Sequence, residues 1–190
     1  MAPSLSRAAA DALVELAWTS IRAGIDGRRP PRPDLDRDGV PPEVRARGAA
    51  FVTVTVDGDL NGCIGTLDAD EPLGAAVARL AWDAAFADPR LPALRPDDLP
   101  HAAVKISVLG PLEPIPGVDS EDDLVRALRP GIDGLLLVAG AHRATFLPAV
   151  WATVPDPLQF VRHLEVKAGL RPGHLPAGAD CFRYEVTEIG

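Results

Sequence analysis

The 190-residue sequence contains little lysine, few aromatic residues and few cysteines. Lys105 and Lys167 are its only lysines, and aromatic residues make up 5% of the chain. We therefore expect aliphatic side chains and alanine to fill most of the core. Asp and Glu outnumber Lys and Arg, giving a formal net charge of −8 at pH 7. Binding to duplex nucleic acid requires a basic surface, so this charge argues against that class of partner.

The sequence also shows no segment that would direct the chain to a membrane. No apolar run is long enough to span a bilayer, and residues 1–12 lack the basic and then apolar pattern of a signal peptide. The two cysteines, Cys63 and Cys181, lie far apart. Because nothing indicates export, we expect two reduced thiols in a cytoplasmic protein that does not associate with a membrane.

Motifs that hold metals or cofactors are missing as well. The four histidines have no ligand spacing, and no CxxC or HxxxH pattern occurs. The sequence contains no glycine-rich phosphate loop, no serine elbow and no radical-SAM cysteine triplet. We therefore predict no metal site and no resident cofactor, and we expect any radical chemistry to belong to a partner.

The hydrophobic pattern that is present indicates an α+β protein with an antiparallel or mixed sheet packed against helices. Valine alternates with threonine over 51–56, and a similar alternation covers 104–108, which is typical of half-buried strands. Caps and apolar spacing predict four helices: Ser6 to about Arg22, Pro72 to Asp88, Asp119 or Ser120 to about Leu128, and Asp156 to Gly169. Further strands are predicted at 135–138, covered on both faces, at 143–147 and at 182–186. Strands and helices do not alternate regularly, which favours α+β over a doubly wound fold.

One proline-rich segment interrupts this pattern. Residues 27–42 hold five prolines among charged residues. The segment is too short to separate two independent domains, so we assign 27–43 to a surface loop within a single domain over 6–190.

The most distinctive segment is Leu60-Asn61-Gly62-Cys63-Ile64-Gly65-Thr66, a thiol between two glycines. Asp57-Gly58 is a strong hairpin turn signal, so this segment should begin the returning strand. Glycine permits positive φ and close approach of another group, and we therefore expect Cys63 to lie in an exposed, sharply shaped loop. At least one of Gly62 and Gly65 should have positive φ or lie against neighbouring backbone.

Three segments in this order resemble the AMMECR domain family, also called AmmeMemoRadiSam system protein A. They are 48–66, which contains the Gly-Cys-Ile-Gly motif; 84–94, AAFADPRLPAL, which leads to Ile-Ser-Val-Leu at 106–109; and 131–170, which ends in Lys-Ala-Gly-Leu. The resemblance implies one α+β unit with a larger and a smaller lobe. It implies a link, in many bacterial and archaeal members, to a Memo-like protein and a radical-SAM protein, but no established enzymatic activity. We expect a bacterial member.

The sequence departs from the family pattern at three positions. Asn61 stands where the family usually has Arg, Asp133 where it has His, and Ala149 where it has Gln. Asparagine cannot replace the bidentate anion recognition of a guanidinium. If the family binds an anion through that arginine, the site of this chain is altered.

Cys63 is the only evident nucleophile. Catalysis would require a lowered thiol pKa, and His101 and His142 are the candidate helpers, although neither has a recognisable sequence relation to Cys63. A packed, semi-buried structural thiol is the interpretation we favour. Asp88 and Arg90 could face a ligand, but we favour an ion pair that fixes their loop.

Three functions remain open from the sequence. The first is an accessory component of an AmmeMemoRadiSam-type system that binds a partner or a small molecule. The second is a thiol-dependent enzyme that uses Cys63 on a small molecule or modified nucleotide, with backbone N–H groups stabilising an oxyanion. The third is a degenerate domain kept for interaction only. The residues expected to bind are Asn61, Gly62, Ile64, Gly65, Thr66, Asp88 and Arg90.

Overall fold

The chain folds into two units, each built on its own four-stranded sheet. The computed structural model describes residues 1–30, 32–118, 120–176 and 178–190. The larger unit contains Pro3–Leu109 and Thr187–Gly190, and the smaller unit contains Met1–Ala2 and Gly110–Val186. The helices are α1 (Arg7–Ile25), α2 (Pro42–Arg45), α3 (Leu73–Phe86), α4 (Glu121–Ala127) and α5 (Pro157–Lys167). The strands are β1 (Ala50–Val56), β2 (Asp59–Gly65), β3 (Ala102–Leu109), β4 (Glu113–Pro114), β5 (Gly134–Ala139), β6 (His142–Phe146), β7 (Asp180–Tyr184) and β8 (Val186–Ile189).

The predicted α+β class is therefore confirmed, with helices and two sheets. Within the described ranges, no helix is both long enough and apolar enough to cross a membrane. The assignment of 6–190 to a single domain stays a prediction.

The larger unit packs α1 and α3 against a sheet with the strand order β2-β1-β3-β8. The alternation at 51–56 has the predicted effect, because Val52 and Val54 are fully buried while Thr53 is only half-buried. Helix α1 begins as expected, since Ser6 Oγ accepts the backbone N–H of Ala9. β2 lies at one edge of this sheet and pairs only with β1.

The proline-rich loop is shorter than predicted. α2 begins at Pro42, inside the assigned 27–43 range, because proline is well suited to the first turn of a helix. Leu35 and Val40 are partly buried against the core of the larger unit, so the loop is attached to that core by apolar contacts.

The smaller unit contains α4, α5 and a sheet with the order β4-β7-β5-β6. As predicted for a strand covered on both faces, Leu135, Leu136 and Leu137 of β5 are all buried. Trp151 stacks on Phe160 with ring centroids 3.7 Å apart in the same core. Ser120 caps α4 through the N–H of Asp123. The alternative cap, Asp119, lies outside the described residues.

The predicted terminal strand at 182–186 is wrong, because two strands of different sheets meet there. β7 ends at Tyr184 in the smaller sheet, and β8 begins at Val186 in the larger one. Glu185 separates them, and its carbonyl accepts the N–H of Gly110. The apolar alternation of Phe182, Tyr184 and Val186 continues through this junction, so periodicity alone could not locate it.

Candidate functional site

The Gly-Cys-Ile-Gly motif forms part of a strand, and the expectation of an exposed loop around Cys63 is wrong. Cys63 is half-buried within β2 and lies opposite Thr53 of β1. The turn at Asp57-Gly58, with φ of 51° and 89°, precedes β2 as predicted. The strand pairing continues through the glycines because neither requires an unusual backbone conformation.

Asn61 forms a β-bulge directly before the motif. Gly62 pairs with Val54 and Leu60 pairs with Thr55, which leaves Asn61 without a partner residue on β1. Such an extra residue bends the strand and redirects side chains, and bulges are frequent beside functional sites. The Asn61 amide donates to the carbonyl oxygen of Pro92 at 2.9 Å.

Two side chains replace a neighbouring strand at the free edge of β2. The backbone N–H of Cys63 donates to Asp88 Oδ2 at 3.0 Å, and Arg90 Nη2 donates to the carbonyl oxygen of Cys63 at 2.9 Å. The backbone N–H and the carbonyl oxygen of Cys63 therefore both have hydrogen-bond partners on the side away from β1. An exposed strand edge is a template for pairing with another strand, and the Asp88 and Arg90 side chains cover that edge at Cys63.

Asp88 and Arg90 also bind each other. Arg90 Nη2 lies 2.6 Å from Asp88 Oδ2, and Arg90 Nε lies 2.9 Å from Asp88 Oδ1, which is a bidentate arrangement. The Asp88 side chain is 1% exposed, whereas that of Arg90 is 61% exposed. The Arg90 guanidinium, the Cys63 N–H and the Arg90 N–H hold the pKa of Asp88 well below its usual range, although burial opposes them. The Asp88 carboxylate in turn raises the pKa of Arg90.

The two glycines of the motif are required by close packing. An added Cβ on Gly62 would collide with the backbone carbonyl of Ala84 in α3. On Gly65 it would collide with the ring of Phe51. Neither glycine has positive φ. We predicted that at least one of the two glycines has positive φ or lies against neighbouring backbone. This prediction is confirmed, because Gly62 lies against neighbouring backbone.

The Cys63 thiol lies on the face of the sheet opposite α3. Gly62 faces α3, and adjacent strand residues point to opposite faces. Thr53 Oγ1, on the same face as Cys63, donates to Cys63 Sγ at 3.3 Å. Of the two candidate helpers, His101 Nδ1 lies 3.1 Å from Asp57 Oδ1, and His142 Nδ1 lies 2.8 Å from the carbonyl oxygen of Ala168. Both histidines thus have hydrogen-bond partners other than Cys63.

The remaining residues of the motif have local structural contacts. Ile64 packs partly buried against the core of the larger unit. The Thr66 hydroxyl accepts the N–H of Asp68 at 3.0 Å, which closes a short turn after β2. The structure therefore places Asn61, Cys63, Asp88 and Arg90 together, with Ile64 directed into the core.

Two residues that differ from the family pattern lie in the smaller unit. Asp133 is fully buried, and its carboxylate accepts the Arg129 guanidinium at 2.5 Å and the Arg129 N–H at 2.8 Å. Ala149 lies in a single 3₁₀ turn, Pro148–Ala152. Asp133 thus has a structural partner of its own.

Three features of this site were missed from the sequence: the bulge at Asn61, the Thr53 hydroxyl and the Pro92 carbonyl. The position of Thr53 was available in principle, because a hairpin with its turn at Asp57-Gly58 brings β1 and β2 side chains into cross-strand pairs. The bulge shifts that register by one residue. Gly62 directly follows it, but a glycine inside a strand indicates either a bulge or a close backbone contact and does not locate the bulge. Among the described residues, no group of three or more His, Cys, Asp or Glu side chains is arranged to hold a metal ion.

Comparisons with known proteins identify relatives of this chain and a solved structure with the same fold. A family model described as AMMECR1 matches residues 14–189. A protein of Methanothermobacter thermautotrophicus is 36% identical over 97% of this chain and 91% of its own length. A protein of Thermococcus gammatolerans is 35% identical over 93% of this chain and 83% of its own length. The crystal structure of an uncharacterised protein from Pyrococcus horikoshii superimposes with a TM-score of 0.82 at 28% identity, covering 93% of this chain and 88% of that one. These organisms are archaea, so the comparisons do not support the expected bacterial origin.

Proposed function

Since the chain belongs to the AMMECR1 family, we propose that it is a cytoplasmic binding component, accessory to an AmmeMemoRadiSam-type system. Its binding surface is the free edge of β2 together with the Asp88–Arg90 pair. The expected partners are a Memo-like protein and a radical-SAM protein, and a small-molecule ligand fits the same surface. The residue with the most direct role is Arg90.

One observation carries this proposal. Asp88 and the Cys63 carbonyl engage Nε and Nη2 of Arg90, and the part of the chain that the structure describes offers no acceptor to Nη1. The guanidinium is therefore held in one orientation on a side chain that is 61% exposed, and its Nη1 donors are left for a partner. A donor that is already fixed loses little conformational entropy when it binds a carbonyl or carboxylate oxygen.

The same geometry favours binding over thiol catalysis. An oxyanion hole needs backbone N–H groups that point at the reacting oxygen, but the Cys63 N–H is already donated to Asp88. The Arg90 guanidinium, which binds the Cys63 carbonyl oxygen, is paired with the Asp88 carboxylate, and this pairing reduces the help that it could give to a thiolate. Among the described residues, the Thr53 hydroxyl is the one donor to the sulfur.

Co-purification tests the partner proposal. Tagged wild type, Arg90→Lys and Arg95→Lys would each be incubated with the Memo-like and radical-SAM proteins of the same genome. Arg95 is a matched control, because it also pairs with a nearby aspartate, Asp98, on the surface of the larger unit. Lysine keeps the charge but loses the planar donor set, so Arg90→Lys should reduce capture about tenfold.

The outcomes separate the surface from the partner. Capture by wild type and Arg95→Lys, with weak capture by Arg90→Lys that is still fully folded at the assay temperature, supports the proposal. Equal capture by wild type, Arg90→Lys and Arg95→Lys would show that the interface does not include Arg90. If wild type captures neither protein, and a thermal-shift screen of metabolites on wild type and Cys63→Ala gives no stabilisation, the binding function is wrong.

A further inference from the structure

A buried glutamate in the smaller unit lacks a full set of hydrogen-bond partners. Glu165 of α5 is 0% exposed. Its Oε2 accepts the backbone N–H of Gly173 at 2.8 Å, whereas its buried Oε1 has no hydrogen-bond partner among the described residues. An ionised carboxylate in this position would lose its hydration and receive one amide in return, which is unfavourable.

A second carboxyl group lies beside it. Glu121 of α4 interacts with Glu165 and raises its pKa. Gly173 borders both, because Glu121 Oε2 lies 4.0 Å from the position that a Cβ on Gly173 would occupy. The cation at this pair is Arg162, whose Nε lies 3.3 Å from Glu121 Oε1. One guanidinium cannot compensate two ionised carboxylates that have left water.

We propose that Glu165 is protonated in the folded protein and donates its proton to the Glu121 carboxylate, and that this hydrogen bond holds α4 against α5 beside the segment 171–175. The step is an acid dissociation: when the Glu165 O–H bond breaks, its proton goes to solvent and its electron pair stays on the carboxylate. Two negative charges then face each other across the contact. The Gly173 amide is the backbone group that reports this change, because it donates directly to Glu165.

The charges around Glu165 support this protonation state. Burial raises the pKa of Glu165 and the neighbouring Glu121 raises it further, while the Gly173 amide and Arg162 act in the opposite direction. The Cys181 thiol of β7 also interacts electrostatically with Glu165. Burial raises the pKa of Cys181 to about 11, so it stays neutral across the relevant range. Glu121 and Arg162 are thus the charged groups that control Glu165.

The contact borders a cavity, which gives the proton a structural consequence. A cavity of about 390 Å³ is lined by residues 120–122 on one side and by Gly173, His174 and Leu175 on the other. An acid with a raised folded-state pKa contributes stability that is complete below its ordinary value, near 4.5, and is lost as the pH rises through the folded value. Deprotonation therefore sets the Glu121 carboxylate, on the 120–122 wall, against the Glu165 carboxylate, which binds Gly173 on the other wall. The two walls separate, and the cavity opens as the pH rises.

Carboxyl carbon-13 NMR of the full chain, combined with amide spectra, tests this proposal. In wild type, one glutamate should titrate with a midpoint above 4.5, and the Gly173 amide should shift with the same midpoint. Glu165→Gln should lose both signals, because glutamine keeps the shape but cannot dissociate. Glu15→Gln, a change on the exposed side of α1, should retain both.

A second variant keeps the test valid if Glu165→Gln does not fold. Glu121→Gln removes the like charge, so the Glu165 midpoint should fall toward 4.5. The proposal is overturned if every glutamate of wild type titrates at or below 4.5. It is equally overturned if the Gly173 amide does not follow the raised titration, or if Glu121→Gln leaves that titration unchanged.

Discussion

Asp88 in the larger unit and Glu165 in the smaller unit are both buried acids, yet their surroundings shift the pKa in opposite directions. Asp88 accepts the Cys63 amide and both the amide and the guanidinium of Arg90, and its pKa is lowered. Glu165 accepts one amide, faces a second carboxyl group, and its pKa is raised. The number and charge of hydrogen-bond donors, rather than burial alone, thus determines whether a buried acid is ionised.

The backbone beside Asp88 is closely packed, whereas the backbone beside Glu165 has open space next to it. Gly62, beside the Asp88–Arg90 pair, is in direct contact with the Ala84 carbonyl and has no room for a side chain. Gly173, beside Glu165, has φ of 82°, and the nearest atom to an added Cβ is 4.0 Å away. We therefore expect the edge of β2 to be rigid and the segment after α5 to yield more easily.

The largest expected effect comes from Gly62→Ala. The added methyl would collide with the Ala84 backbone, so β2 or α3 must move, and unfolding should become easier by about 3 kcal/mol. Urea unfolding at pH 7 measures this change. Gly65→Ala is the matched control, since its Cβ meets the Phe51 side chain, which can rotate, and it should cost less. Equal losses in the two variants would show that β2 is not held rigidly against α3.

Asp88→Asn should have the next largest effect. Asp88 Oδ2 accepts from Cys63 and from Arg90 Nη2, and Oδ1 accepts from the Arg90 amide and Nε. Asparagine keeps one of these acceptors and turns an NH₂ donor toward the donors of the other, so the loss of charge-assisted hydrogen bonds should cost about 2 kcal/mol at pH 7. The pH dependence of this difference has a defined sign. Because the folded-state pKa of Asp88 is lowered, its contribution is complete above the ordinary value near 3.8 and is lost as the pH falls below it.

Urea unfolding of Asp88→Asn and wild type at pH 7, 5 and 3 measures that contribution. The difference should be constant between pH 7 and 5 and smaller at pH 3. Asp26→Asn is the control, because Asp26 also pairs with an arginine, Arg28, but its side chain is 60% exposed, and pairs of exposed residues contribute little. A difference that grew on acidification would contradict the assignment of Asp88 as an ionised, hydrogen-bonded group.

Much of the scaffold around Asp88 could be predicted from the sequence. The Val-Thr alternation of β1, the Asp57-Gly58 turn and the apolar face of α3 each predict an element correctly, because each is a local pattern. The close approach of Gly62 was also predictable in kind, since a glycine inside a strand often marks contact with other backbone. The identity of that contact, Ala84, depends on how α3 crosses β2 and has no local signal.

The contacts of Cys63 could not be predicted in the same way. Asp88 and Arg90 reach it from a segment that follows α3, and only the packed helix determines where that segment returns to the sheet. The interaction between Glu121 and Glu165 could not be predicted for the same reason, because the two residues lie on different helices, α4 and α5, that are far apart in the sequence. Strands, helices and turns can therefore be predicted from a single sequence, whereas contacts between side chains that are distant in the sequence cannot.

The smallest expected effect concerns the two thiols, one in each unit. Serine at position 63 can still accept from Thr53 Oγ1, and the site is only half-buried, so Cys63→Ser should change the free energy of unfolding by about 0.5 kcal/mol or less. Cys181→Ser is the matched control. It places a hydroxyl in the apolar core of the smaller unit and should cost about 1–3 kcal/mol. Thermal unfolding of both variants measures the pair. If Cys63→Ser lowers the free energy of unfolding as much as Cys181→Ser does, the Cys63 thiol is held by apolar packing. The proposed binding surface at the edge of β2 would then not include the thiol.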